Sequence, residues 1–341
     1  MPTFCRHNRF LDRCPICSKS LPANAASGRS ASRAGGAGSA RSGAGSSRRG
    51  GGRGRGDGLR VHREGRAEDD GYRSALVPGV RASADATRLA GEIAFSSGRL
   101  LALGAEPPGL YGEARALSGE DLERASWTCF LIAYLSPLQD EDDPFAGIRR
   151  VLDEAPTLAP DGELPDLEGI PLGPRSCHDP ARGAGTLTAY RQWVQRAGGP
   201  AGAQAVALAG DPAWSPERRF ERLFERLALP GLGRVGRYEL LLTLGRLGCY
   251  ELRAQSLHLA GARGLAGDDP TTLAAKRVFG IGDPLLLDRR ATALAQAVSV
   301  PVETLDLALA NWAAPGRATL GFPPQTLDDG AYERAGDALG L

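Results

Sequence analysis

Lysine is nearly missing from this chain: Lys19 and Lys276 are the only two, so arginine supplies almost all of the positive charge. Long apolar runs are also missing. None approaches the ~18 residues that a membrane span requires, which excludes a membrane-spanning helix, and no targeting segment is visible at the N-terminus. Cysteine is too sparse for a disulfide framework. Cys129, Cys177 and Cys249 stand singly among apolar or ordinary neighbours and are expected as buried or free thiols in a reducing cytoplasm. No series of alternating apolar and polar residues suggests a sheet, so the expected fold class is all-α.

Large apolar side chains are almost absent between residues 18 and 71, where Gly, Ala, Ser and Arg dominate. Such a stretch cannot bury enough surface to offset its ordering entropy, and a disordered Arg/Gly-rich linker is expected over 20–71. Net charge is only +1, yet eleven basic residues between Lys19 and Arg66 face Asp57 and Glu64 alone. Guanidinium groups spaced in this way track phosphates, while a plain solvated spacer with base-composition-driven Arg is the alternative. The folded body is then 72–320, followed by a tail over 321–341.

What is present begins at the extreme N-terminus. Cys5, His7, Cys14 and Cys17 follow the pattern C-x-H-x6-C-x2-C. Two close ligand pairs joined by a short loop suit tetrahedral zinc, and four protein ligands close the shell, so a structural Zn²⁺ in a knuckle over residues 1–19 is expected. A closed knuckle serves recognition of nucleic acid or protein before it serves reaction.

Helical patterning marks the body. A weaker helix is expected over 85–103. Ser118 precedes acids and a broad apolar face ending before Pro137, with Trp127, Phe130, Leu131 and Tyr134 as core. Residues 156–180, rich in Pro, Gly and Asp, read as a long loop, and helices return over 186–197, 215–227, 234–247, 284–298 and 301–312.

Two glycine turns stand out. Leu229-Pro-Gly-Leu-Gly233 joins two helices: Pro230 ends the first, Gly231 and Gly233 permit a tight hairpin, and Leu232 anchors it. The free N–H groups of the next helix then make a phosphate site, with Arg234 and Arg237 as added charge. The second turn, around Gly280 and Gly282, is followed by Asp283 as a cap and Pro284 as the first helical residue. Lys276, Arg277, Asp288, Arg289 and Arg290 surround it with mixed charge. A further polar cluster, Arg175, His178, Asp179 and Arg182, lies in the long loop and offers an imidazole, a carboxylate and guanidinium groups, without an identifiable nucleophile.

These segments, with the run from Glu120 to Tyr134, resemble the α-glutamyl/putrescinyl thymine pyrophosphorylase family, in its bacterial third clade. The resemblance covers most of 73–320. It implies a helical, helix-hairpin-helix DNA-glycosylase-like body acting on hypermodified thymine in DNA, where an amine displaces pyrophosphate from a pyrophosphorylated 5-hydroxymethyl pyrimidine. On that reading His178, Asp179, Lys276, Asp288, Arg289 and Arg290 are the catalytic candidates, with His178 and Asp288 as proton acceptors in a shared pocket. Gly231, Gly233, Arg234, Arg237, Gly280 and Gly282 are the DNA-binding candidates. Two other readings stay open: base excision, although glycosylases of this kind need an Asp past the hairpin where this chain has Arg253 and only Asp288, after an insertion, could serve, and a non-catalytic DNA-binding adaptor. DNA is the expected partner and the cytoplasm, on the nucleoid when DNA is bound, the expected location. The zinc knuckle and arginine arm are additions that the core reaction does not need.

Purified protein should carry about one zinc per chain, lost in Cys14→Ser, with residues 72–341 still folded. Metal analysis finding none in protein prepared without chelator would refute the knuckle.

Overall fold

The computed structural model describes residues 67–259 and 269–341. The expected zinc ligands Cys5, His7, Cys14 and Cys17 and nearly all of the arginine-rich segment lie outside them. Among the described residues the secondary structure is helical throughout, with twelve α-helices, one 3-10 turn and no strand.

Two long apolar helices organise the packing. The first helix, α1 (Ser83–Ala105), buries Leu89, Ile93, Phe95 and Leu103 and lies against the last ones, α11 (Thr304–Ala313) and α12 (Asp329–Leu339). α3 (Leu122–Leu135) is buried without a break from Ala125 to Leu135 and packs on α2 (Gly109–Leu117), α4 (Ala146–Glu154), α6 (Gln204–Ala209) and α8 (Arg234–Arg246). Phe130 of α3 stacks on Tyr190 of α5 (Gly185–Ala197) at 3.9 Å between centroids, and Trp127 and Trp193 extend the stack. Trp127 is fully buried and its Nε1–H donates to the Ala155 carbonyl, which removes the cost of burying an indole N–H. Each such aromatic contributes about 1.5–3 kcal/mol by burial.

The expected helices form close to their sequence limits. Ser215 Oγ caps α7 (Pro216–Arg226) and Asp283 caps α10 (Pro284–Val298), each accepting a first-turn N–H. Three differences have physical causes. Asp121, not Ser118, caps α3, because Ser118 is used as the C-cap of α2. Lys276 and Arg277 belong to a helix, α9 (Pro270–Phe279), started by the Asp269 cap and Pro270. The last residues, set apart as a tail, fold as α12, whose Asp328 cap also accepts from Ser97 Oγ of α1.

α1 meets α8 through charge. Arg99 and Glu239 pair while almost wholly buried, and the guanidinium lies 5.6 Å over the Phe322 ring. Nearby, the 251–259 segment folds back on the α7–α8 pair, and His258 stacks on Phe224 with 4.2 Å between centroids. Burial, then the charges of Arg234 and Arg237, push the His258 pKa down to about 4. The unfolded chain binds that proton near pH 6.5, so this contribution to stability is whole above pH 6.5 and falls as pH drops towards 4. It amounts to about 3 kcal/mol. In urea melts His258→Phe should flatten this part of the pH dependence; an unchanged slope between pH 6.5 and 4 would show that His258 is not buried neutral.

Candidate functional site

The site grows from the joint between α7 and α8. Leu227 ends α7, the Leu232 N–H closes a turn on the Leu229 carbonyl, and Leu232 itself is buried. Gly231 sits at φ +82°, and a Cβ there would lie 1.9 Å from Thr186 Oγ1, so the turn rests directly on the start of α5. Gly233 then opens α8 without any side-chain cap, leaving the first-turn N–H groups to other acceptors.

The loop of residues 173–179 is laid beside this joint by the end of α3. Gly173 N–H donates to the Leu135 carbonyl, Cys177 N–H to Tyr134, and Ser176 Oγ–H to Tyr134 as well. Pinned in this way, Arg175 reaches Asp306 of α11, its Nη2 2.7 Å from one carboxylate oxygen. Arg234 Nη2 takes the other oxygen at 2.6 Å, while its Nε lies 3.0 Å from Asp269 and its Nη1 donates to the Leu257 carbonyl. Burial raises the Asp306 carboxyl, but the charges of Arg234 and Arg175 overcome this and hold it below the usual carboxylate value.

Arg175, Arg234 and Asp269 form one wall of a cavity of about 660 Å³. Cys177, Gly233, Val235, Asn311 and Arg317 also line it. Arg317 is held by a bidentate pair with Glu92, at 2.9 and 3.1 Å, over the Phe95 ring. A neighbouring hollow shares Gln139, Pro315, Gly316 and Arg317 with this cavity.

Residues 176–319 match the family model of alpha-glutamyl/putrescinyl thymine pyrophosphorylase clade 3. All of the cavity's lining residues except Gln139, Pro174 and Arg175 fall inside that segment. No curated protein and no solved structure matches the chain.

Against this family segment the sequence-derived candidates divide. Gly231, Gly233 and Arg234 line the cavity. Arg234 and Arg237 are not outward phosphate arms, however. Both are buried, because the carbonyls of Leu257, Phe224 and Gly233 need donors, and Arg237 lies 4.3 Å over the Phe224 ring.

His178 and Asp288 were expected to share a pocket, and neither lines this one. None of His178, Asp179, Lys276, Asp288, Arg289 and Arg290 lines the cavity. His178 Nδ1 is held 2.9 Å from the Tyr134 hydroxyl, and burial pushes its pKa down, against the charge of Asp179. Asp179 caps the short 3-10 turn Pro180–Arg182 and pairs with Arg182. Asp288 spends its two oxygens on the N–H groups of Leu257 and Leu259, each at 3.0 Å, so it clamps backbone.

Lys276, Arg289 and Arg290 stand at the second joint, α9 to α10, where Gly280 is the left-handed C-cap and Gly282 is exposed. Arg289 and Arg290 are exposed, and Arg290 donates to the Ala75 carbonyl. Among the described residues no group of three or more His, Cys, Asp or Glu is placed to hold a metal ion.

Sequence reading missed Asp306 and Asp269 and passed over Cys177. Asp306 had a visible signal: a carboxylate inside the apolar run Thr304–Ala313 demands a buried cation. Asp306→Ala should destabilise the protein by about 3–5 kcal/mol in urea melts, because it strands the buried Arg175 guanidinium and takes from Arg234 one of its two carboxylates. The depressed carboxyl makes its contribution above about pH 3.8, its ordinary value, and loses it as pH falls through the lower folded value. A cost below about 1 kcal/mol would show that the network is not integral.

Proposed function

We propose that this protein is a DNA base-modifying transferase that replaces the pyrophosphate of a pyrophosphorylated 5-hydroxymethyl pyrimidine with an amine. The observation that carries the reading is the coincidence of the family segment with the cavity wall. The cavity has the volume of an ordinary small-molecule site, which suits a base turned out of the helix.

Arg175 and the side-chain-uncapped N-terminus of α8 supply donors where charge develops on the departing pyrophosphate. The second joint takes a different role from the one expected. Its exposed Arg289 and Arg290, with Lys276, lie outside the cavity and suit the DNA backbone, helped by the arginine-rich arm. Base excision is the weaker alternative, since Asp288 is committed to backbone N–H groups.

The test uses the full chain and a duplex carrying a single 5-(pyrophosphoryloxymethyl)-2′-deoxyuridine, with putrescine or glutamate as amine. Nucleoside mass analysis should show the amine adduct with one pyrophosphate released per adduct. Abasic sites would establish excision instead, and tight binding without turnover an adaptor. Affinity for DNA should fall about tenfold or more between about 50 and 200 mM salt, and deletion of residues 18–71 should weaken it without changing sequence preference. An affinity that hardly moves with salt would contradict the phosphate-tracking role.

A further inference from the structure

A thiol stands in the cavity wall. Cys177 is half-buried and lines the cavity beside Arg175, Gly233 and Arg234. Its sulfur rests on the first turn of α8, where the N–H groups of Gly236 and Gly233 favour its charged form, and its own S–H faces the Arg175 carbonyl at 4.0 Å. A Cβ on residue 236 would lie 2.7 Å from Sγ, so the seat exists only because that residue is glycine. Independently, Arg175 lines the same space and has unused donor capacity. Its side chain is 9 % exposed, and its Nε has no hydrogen-bond partner although Nη2 is held by Asp306. A buried guanidinium with an unmet N–H in a cavity wall calls for an anionic or carbonyl ligand.

We propose that Cys177 is the covalent nucleophile of the reaction, adding to C6 of the pyrimidine ring. The inference rests on the cavity being the reaction centre. The thiol gives its proton to solvent and the sulfur pair forms an S–C6 bond, while the C5–C6 π pair moves to the C4 oxygen as an enolate. That enolate expels pyrophosphate: the bond between the 5-methylene carbon and oxygen breaks, the pair leaves with pyrophosphate, and an exocyclic C5 methylene remains. The amine adds to that methylene carbon and loses a proton, and the enolate is regenerated. Its collapse restores C5–C6 and returns the sulfur pair to Cys177, which takes a proton from solvent. The net change is amine for pyrophosphate, with no oxidant or reductant.

The residues around Sγ match those demands. Two backbone N–H groups and the charges of Arg175 and Arg234 favour the thiolate, while burial pushes the thiol up and keeps it protonated in the resting site. Arg175 is placed to meet the charge that appears on the leaving group.

The covalent route releases pyrophosphate before any amine arrives, and direct displacement does not. With the same modified duplex and no amine, wild-type protein should release a burst approaching one pyrophosphate per chain. It should also form a denaturant-resistant protein–DNA adduct mapping to the Cys177 peptide. Cys177→Ser and Cys177→Ala should lose the adduct and the burst, and with amine present should incorporate it about a hundredfold more slowly or worse. Melting curves check that each variant is folded. If both variants unfold, alkylation of wild-type Cys177 by iodoacetamide, blocked by the modified duplex, decides the matter; alkylation unaffected by the duplex overturns the proposal. Amine incorporation at the wild-type rate by either variant, or no burst from wild type that turns over with amine, overturns the nucleophile and leaves the transferase reading standing. No pyrophosphate release by wild type under any condition removes both.

Discussion

A buried carboxylate stays charged only where cations reach it, and Asp306 is reached by two. Arg175 comes from the loop after α3 and Arg234 from the first turn of α8, while Asp306 itself projects from α11. Three parts of the chain far apart in sequence are thereby fixed at one point, at N···O distances of 2.6 and 2.7 Å. Removing Asp306 would leave the Arg175 guanidinium buried without its carboxylate, a far larger penalty than the pair's own net worth. The cavity wall is this network seen from its open side.

The two glycine joints serve different ends because their neighbours differ. At the first, Gly231 presses on Thr186 and Gly236 makes room for Cys177, so backbone N–H groups of α8 face a half-enclosed space. At the second, the segment before α1 packs on the turn, with Gly79 N–H donating to the Val278 carbonyl, and the basic residues face outward. On the proposed function, chemistry belongs with the enclosed joint, where electrostatic contacts are strong. Charge contacts to a polyanion suit the exposed one.

Much of the fold was legible in the sequence. The apolar stripes of α3, α8, α10 and α11, the Ser215 and Asp283 caps, and Leu232 as an anchor all follow from local rules. The short helices α2, α4 and α6 were not, since nine or fewer residues give weak periodicity, and α9 was hidden by reading its basic last turn as a loop flank. The site was half legible. Gly231 and Gly233 announce a hairpin, but nothing local tells that Arg234 turns inward to Asp306, 72 residues away. Mixed charge at Lys276–Arg290 looked catalytic because sequence cannot separate an exposed cluster from an enclosed one. Cys177 stood out by nothing local, because only the packing reveals that its sulfur sits on the first turn of α8.

The central claim is that the leaving group is held in the cavity of the first joint and not at the second. Calorimetric titration with inorganic pyrophosphate tests it most directly, comparing wild type, Arg175→Gln and the double variant Lys276→Gln, Arg290→Gln. Binding should be lost in Arg175→Gln and kept in the double variant. Binding kept in Arg175→Gln and lost in the double variant would move the reaction to the second joint and contradict the account.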